Sequence, residues 1–304
     1  MNDRDQQRAG PYVSRQVEAA RRVMVEVWQI LSAYRDAIVL VGGWVPELLL
    51  PGASPPHTGS IDVDLLLNPE RLRQAQYAEL LRLLEERGYQ KTEKAFRYAR
   101  EVVVDEGEPV TVEVDFLVPK GAKRGRSRLM PGFRAIEADG SRLALEATET
   151  RAVEGRLPDG ARHRVEVVVP SVEAFIVMKA YALRGRLKEK DAYDVVFCLR
   201  NWPGGVADVG RRLAPHRGEP EAREALRILA VHFASPEHLG SQAYATFVGP
   251  ADADERAFLA RDAYERVQEL LRALGTDEGN APWPAGTERR AGRDRWREIA
   301  GCST

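Results

Sequence analysis

Asp62 and Asp64 stand two residues apart in Ser60-Ile61-Asp62-Val63-Asp64-Leu65, alternating with Ile61, Val63 and Leu65. This is the two-residue period of a half-buried strand, and it turns both carboxylates to one face with Cα atoms roughly 6.6 Å apart. Two carboxylates side by side at the edge of a core repel each other and lose hydration, so a bare pair is costly. A divalent cation removes that cost, and two cations about 3.5–4 Å apart suit such a carboxylate row. A third acid, Asp115, lies in Thr111-Val112-Glu113-Val114-Asp115-Phe116-Leu117, where the apolar residues face one way and Glu113 and Asp115 the other. Asp115 is expected to join Asp62 and Asp64 from a neighbouring strand, since its apolar run continues through Val118. Glu113 is expected to face solvent.

Other chemistry-bearing residues flank these acids. Ala37-Ile38-Val39-Leu40-Val41 reads as a short buried strand ending on Gly42-Gly43, and Trp44–Leu50 as a helix stopped by Pro51-Gly52. Strand, paired glycines and helix let backbone amides approach phosphate oxygens, although turn formation alone also explains a glycine pair. The Pro-rich loop 51–59 brings His57 and Thr58 to Ser60. His57 is expected to be solvated, with contact to a phosphate or a substrate hydroxyl as the alternative. After the third acid, Lys120 to Arg134 holds Lys120, Lys123, Arg124, Arg126 and Arg128 with interspersed glycines and no acid. This basic loop is either a solvated charge run or a clamp for a triphosphate or a nucleic-acid backbone.

The elements that must position these residues are legible in outline. From Ser14 to Tyr34 apolar residues recur at spacings of three and four, an amphipathic helix. Asn68-Pro69 reads as the start of a helix running to about Arg87 and stopped by Gly88. Phe96–Val104 and Val110–Val118 flank the turn signal Asp105–Pro109 and read as a hairpin. Residues 141–169 read as further strands and turns. Pro170-Ser171 introduces a helix from Val172 to Leu183, a second helix begins near Glu189, and Glu219–Phe233 and Asp252–Leu274 are the clearest of those that follow. The predicted class is α+β, with a mixed sheet and flanking helices over residues 1–169 and a mainly helical region over 170–304.

With 304 residues and a formal net charge of −1, the chain can bury a sizeable core and is not a polyelectrolyte. Nucleic-acid contact must therefore come from a local patch. Two cysteines, Cys198 and Cys302, make no disulfide framework, which fits a reducing cytosol. No apolar run reaches membrane-spanning length, and the N-terminal residues lack the apolar core of a signal peptide. A cytoplasmic location is the expectation.

Gly42-Gly43-Trp44, Ser60-x-Asp62-x-Asp64 and Asp115 resemble the nucleotidyltransferase fold of the polymerase-β type. Met178-Lys179-Ala180-Tyr181-Ala182-Leu183-Arg184-x-Arg186-x-Lys188-x-Lys190-Asp191-Ala192-Tyr193-Asp194 is similar to the lysine/aspartate segment of AbiEii-type nucleotidyltransferases, toxin halves of bacterial toxin–antitoxin and phage-defence pairs. The resemblance covers roughly Val39 to Leu199. It implies Asp62, Asp64 and Asp115 as ligands of two Mg²⁺ ions (or Mn²⁺ in their place), Lys179 facing the nucleotide phosphates, and Lys190 and Asp191 completing the substrate side. Gly42, Gly43 and Ser60 would contact nucleotide, and Asp194 would fix helix packing or a lysine. Many polymerase-β relatives place serine where Trp44 stands, so phosphate binding would rely on Gly43 amides or on Ser60.

Three functions follow as expectations. The first is transfer of a nucleoside monophosphate from a triphosphate to an RNA hydroxyl, most naturally of tRNA, by a toxin held in check by a cognate antitoxin. The second is modification of an antibiotic, since Gly-Gly-Trp, the 51–59 loop and His57 are reminiscent of lincosamide and aminoglycoside nucleotidyltransferases. The third is a catalytically silent module that binds nucleotide or a protein partner.

Overall fold

The computed structural model describes residues 14–72, 74–121, 135–186 and 188–275. Helix α1 (Ser14–Ile30) is followed by a 3₁₀ segment, Ser32–Ala37, so the predicted single helix to Tyr34 tightens in its last turns. Strand β1 (Ile38–Val41) is buried throughout and leads through the 3₁₀ turn Gly42–Trp44 into a short helix α2, Val45–Leu49. Strand β2 (Asp62–Leu67) alternates half-buried Asp62 and Asp64 with buried Val63 and Leu65, as the sequence period requires.

Asn68 does not cap the next helix. Its side-chain oxygen accepts from the amides of Glu70 and Arg71, closing a separate turn, and helix α3 (Gln74–Glu86) begins beyond it. Strands β3 (Gln90–Lys91), β4 (Arg97–Val102) and β5 (Val110–Pro119) follow, the last two forming the expected hairpin. The sheet order is β1-β2-β5-β4-β3, with β6 (Ile136–Ala138) paired to the far end of β5. Strand β5 runs parallel to β2 and antiparallel to β4, so the sheet is mixed.

After helix α4 (Arg142–Glu146), strands β7 (Thr148–Arg156) and β8 (Arg162–Pro170) form a separate antiparallel pair. The pair packs on α1 and β1, and Trp28 Nε1 donates to the carbonyl of Glu166. The remainder is helical: α5 (Val172–Arg186), α6 (Glu189–Asn201), α7 (Gly205–Leu213), α8 (Pro220–His232), α9 (Leu239–Val248) and α10 (Ala253–Ala273). Asp252 caps α10, its carboxylate accepting from the Glu255 amide at 2.8 Å. Apolar side chains of the sheet, of α1 and of the later helices belong to one continuous core. No helix among the described residues is long and apolar enough to cross a membrane.

Candidate active site

The parallel pairing of β2 with β5 sets Asp62 opposite Glu113 and Asp64 opposite Asp115. Val41, the last residue of β1, lies opposite Asp64 on the other side. The chain then turns at Gly42 with φ +76°, and a Cβ there would lie 2.0 Å from Asp64 Oδ2. A Cβ on Gly43 would lie 2.7 Å from Ser60 Oγ and 2.8 Å from Lys190 Nζ. The glycine pair is therefore required by the close approach of the acid strand and of α6. Trp44, fully buried, takes the position after the pair and donates from Nε1 to the carbonyl of Asp62 at 2.8 Å. It pins the start of β2 beneath the turn.

Each acid has its own surroundings. Ser60 Oγ donates to Asp62 Oδ1 at 2.5 Å. Asp115 is gripped by Arg97 of β4 in a fork, Nε to Oδ1 at 2.6 Å and Nη2 to Oδ2 at 2.7 Å. The same guanidinium pairs with Glu113, which is thus half-buried and partnered rather than simply solvated. Asp64 has the least favourable position. Burial, then the charges of Asp62 and Asp115, push its carboxyl well above the usual carboxylate range, against the pull of Arg186 and Lys179.

The second half of the site comes from α5 and α6. Lys179 lies in a buried ion cluster, Nζ 2.7 Å from Asp191 Oδ1 and 2.7 Å from Asp194 Oδ2. Its side chain is only 7% exposed, so its charge is spent on the two aspartates. Lys190 Nζ lies 2.9 Å from Asp194 Oδ1, and burial lowers its pKa while Asp194 and Asp62 oppose the change. Arg186 binds Asp191 through Nε (2.8 Å to Oδ2) and Nη2 (3.0 Å to Oδ1). Burial alone would raise the Asp191 carboxyl, but Lys179 and Arg186 hold it down at about 2. Arg186 keeps 47% of its side chain exposed while Asp64 and Asp62 act on its charge. The local sequence offered no reason to single it out from Arg184.

His57 is not solvated. It is fully buried, with Nε2 2.9 Å from Asp194 Oδ1 and Nδ1 accepting from the Gly59 amide at 3.1 Å. Its ring stacks on Tyr193 and meets Phe197 edge-on. Burial, together with the charge of Lys190, lowers its pKa to about 4, so it is neutral and fastens the 51–59 loop to α6. Of the basic loop, Lys120 pairs with Asp139 at 2.8 Å. Lys123, Arg124, Arg126 and Arg128 lie outside the described residues.

Among the described residues no three His, Cys, Asp or Glu side chains form a ready-made metal-binding group. Asp62 is held by Ser60 and Asp115 by Arg97. The donor set is nevertheless hard carboxylate oxygen, which Mg²⁺ and Mn²⁺ take. The raised carboxyl of Asp64 marks an excess of negative charge that a cation would correct. The donor type suits such an ion, while in this arrangement Arg97 takes both oxygens of Asp115.

Acids on adjoining strands, a glycine turn closing on them and cations supplied by two later helices are the parts that metal-assisted transfer of a phosphoryl-type group uses. The chain belongs to the family described as "Nucleotidyl transferase AbiEii toxin, Type IV TA system", whose model matches residues 29–273. A similar solved structure is an antigenic nucleotidyltransferase-like protein from Paracoccidioides brasiliensis, at 15% identity and a TM-score of 0.41. That match covers 70% of this chain and 87% of the other. No curated protein matches the chain.

Proposed function

We propose that this protein transfers a nucleoside monophosphate from a nucleoside triphosphate to a hydroxyl of RNA, of the tRNA class. In this reading it is a cytoplasmic toxin restrained by a cognate antitoxin. The observation that carries the reading is the register of β2 on β5, which sets Asp64 against Asp115 with Asp62 two residues away. Asp62 and Asp64, joined by Asp115, would hold the divalent cations. Bound there, the ions would lower the pKa of the acceptor hydroxyl and offset charge on the triphosphate and the departing pyrophosphate.

The chain's own residues divide the remaining work. Arg186, anchored on Asp191 and half exposed, is the cation best placed to meet phosphate oxygens. Lys179 acts behind it by keeping Asp191 and Asp194 ionised and in place. Lys190 stands against Gly43 and Ser60, on the wall where a triphosphate would lie. We take residues 1–169 and 170–304 as the two working units, with the reaction at their junction. An antibiotic acceptor is less well supported, because His57 is enclosed and cannot touch a substrate. All three carboxylates are present on adjoining strands, which speaks against a silent module.

The test is incubation of the purified protein with Mg²⁺, each labelled nucleoside triphosphate in turn, and total RNA. Label is expected in the tRNA fraction with wild type, and it should fall by at least about 10³-fold in Asp62→Asn and Asp64→Asn proteins that keep their fold. Wild-type rates in either variant would remove the metal assignment. Label confined to small molecules or to protein would remove the RNA acceptor.

A further inference from the structure

Away from the carboxylates, the tip of the β7–β8 hairpin and the first turns of α1 border an open surface groove of about 530 Å³. Its lining sets Arg21, Arg156, Arg162 and Arg164 against Glu18 and Glu154. The two acids are already engaged. Glu18 Oε1 lies 2.8 Å from Arg22 Nε, outside the groove lining, and Glu154 Oε1 lies 3.6 Å from Arg164 Nη1. Arg21 is paired with Glu47 of α2.

Arg156 and Arg162 have no carboxylate within salt-bridge distance among the described residues, and they are direct partners across the strand ladder. Both are exposed. Like charges placed directly opposite each other in an antiparallel pair destabilise it, and a neutral residue at either position would relieve the pair. A bound anion turns this liability into a fork of two guanidiniums, and phosphate is the anion that such forks match.

One ion pair links this groove to the loop that precedes the acid strand. Glu47, the partner of Arg21, feels the charge of Lys190 and lies against Gly59, directly before Ser60. A strand of phosphates crossing the hairpin would therefore be led towards Ser60 and the carboxylates.

We propose that this groove is a docking surface for the sugar–phosphate backbone of the RNA acceptor, with Arg156 and Arg162 as its paired phosphate clamp. The proposal rests on the RNA-acceptor reading above. It is tested by labelled tRNA binding to the full chain without nucleotide, followed across 50–200 mM salt. Compared with wild type, Arg156→Gln/Arg162→Gln is expected to raise Kd by about tenfold and to flatten the log–log salt slope by roughly 1.5–2. Its melting temperature should equal or exceed that of wild type, because a repulsive pair has gone. Arg223→Gln/Arg227→Gln on α8 removes the same charge elsewhere and should leave both quantities unchanged.

In transfer assays the clamp variant should raise KM for RNA and leave KM for the triphosphate alone. Unchanged tRNA affinity and slope in the clamp variant, or an equal loss in the α8 variant, would overturn the proposal. Failure of wild type to label RNA would count against the enzymatic reading alone, since the binding measurement does not use transfer.

Discussion

Asp64 is where charge is least balanced. Its carboxyl is buried, flanked by Asp62 in its own strand and by Asp115 in register on the next, and closed over by the Gly42 turn. These surroundings raise its pKa in the folded chain, so ionisation costs stability. The cost is absent near the unfolded value of 3.8 and grows as pH rises towards the folded pKa. Metal-free Asp64→Asn should therefore melt higher than wild type at pH 7–8, by on the order of 2 °C, with the two converging near pH 4. Mg²⁺ should raise the wild-type melting temperature, increasingly so at higher pH, and leave the variant nearly unmoved. Scanning calorimetry with and without chelator decides it; a variant melting below wild type at every pH would show that the carboxylate is well satisfied as it stands. The acids themselves were readable from the period of the two strands. Arg97 was not: its fork onto Asp115 depends on a hairpin register that side-chain alternation alone leaves open.

At the scale of elements, the buried contact of His57 with Asp194, backed by the rings of Tyr193 and Phe197, fastens the loop between α2 and β2 to α6. The local sequence shows a Pro-rich loop, for which a solvated histidine is the ordinary outcome; its partner lies 137 residues away. The folded pKa of about 4 lies below the ordinary 6.5. Stability from this neutral histidine is thus fully present above pH 6.5 and is lost as pH falls towards 4, by roughly 3 kcal/mol across the window. His57→Gln should flatten that part of the pH–stability curve while costing about 1–3 kcal/mol at neutral pH through the buried hydrogen bonds it breaks. Parallel wild-type and variant curves between pH 6.5 and 4 would mean that His57 takes up its proton in the fold. The strands and long helices could be anticipated because their apolar periods are local. Helices α7 and α9 fall inside the region read as mainly helical but received no bounds of their own, since Gly-rich Gly204-Gly205 and the uncharged run Leu239–Val248 give weak local signals.

For the molecule as a whole, the site is a seam. The acids come from the sheet and the cations from α5 and α6, and Asp194 ties Lys179 and Lys190 to His57 in the loop that leads into β2. Burial alone would raise the Asp194 carboxyl, but Lys179 and Lys190 outweigh it and hold it far below the usual range. A nucleoside triphosphate with Mg²⁺ would bind across this seam, meeting carboxylates on one side and Arg186 on the other. Ligand that binds only the folded state stabilises every segment that must open for its release. Amide exchange should therefore slow together in β2 (Asp62–Leu67) and in α6 (Glu189–Asn201) when Mg²⁺ and a non-hydrolysable triphosphate are added. At a hundredfold excess over Kd the gain would approach about 2.7 kcal/mol in both. Asp194→Asn should break the link: protection would still rise in β2, where the proposed ion would sit, and rise much less in α6. Equal gains in both segments of the variant would mean that the two regions are joined by their shared apolar core rather than by this ionic cluster.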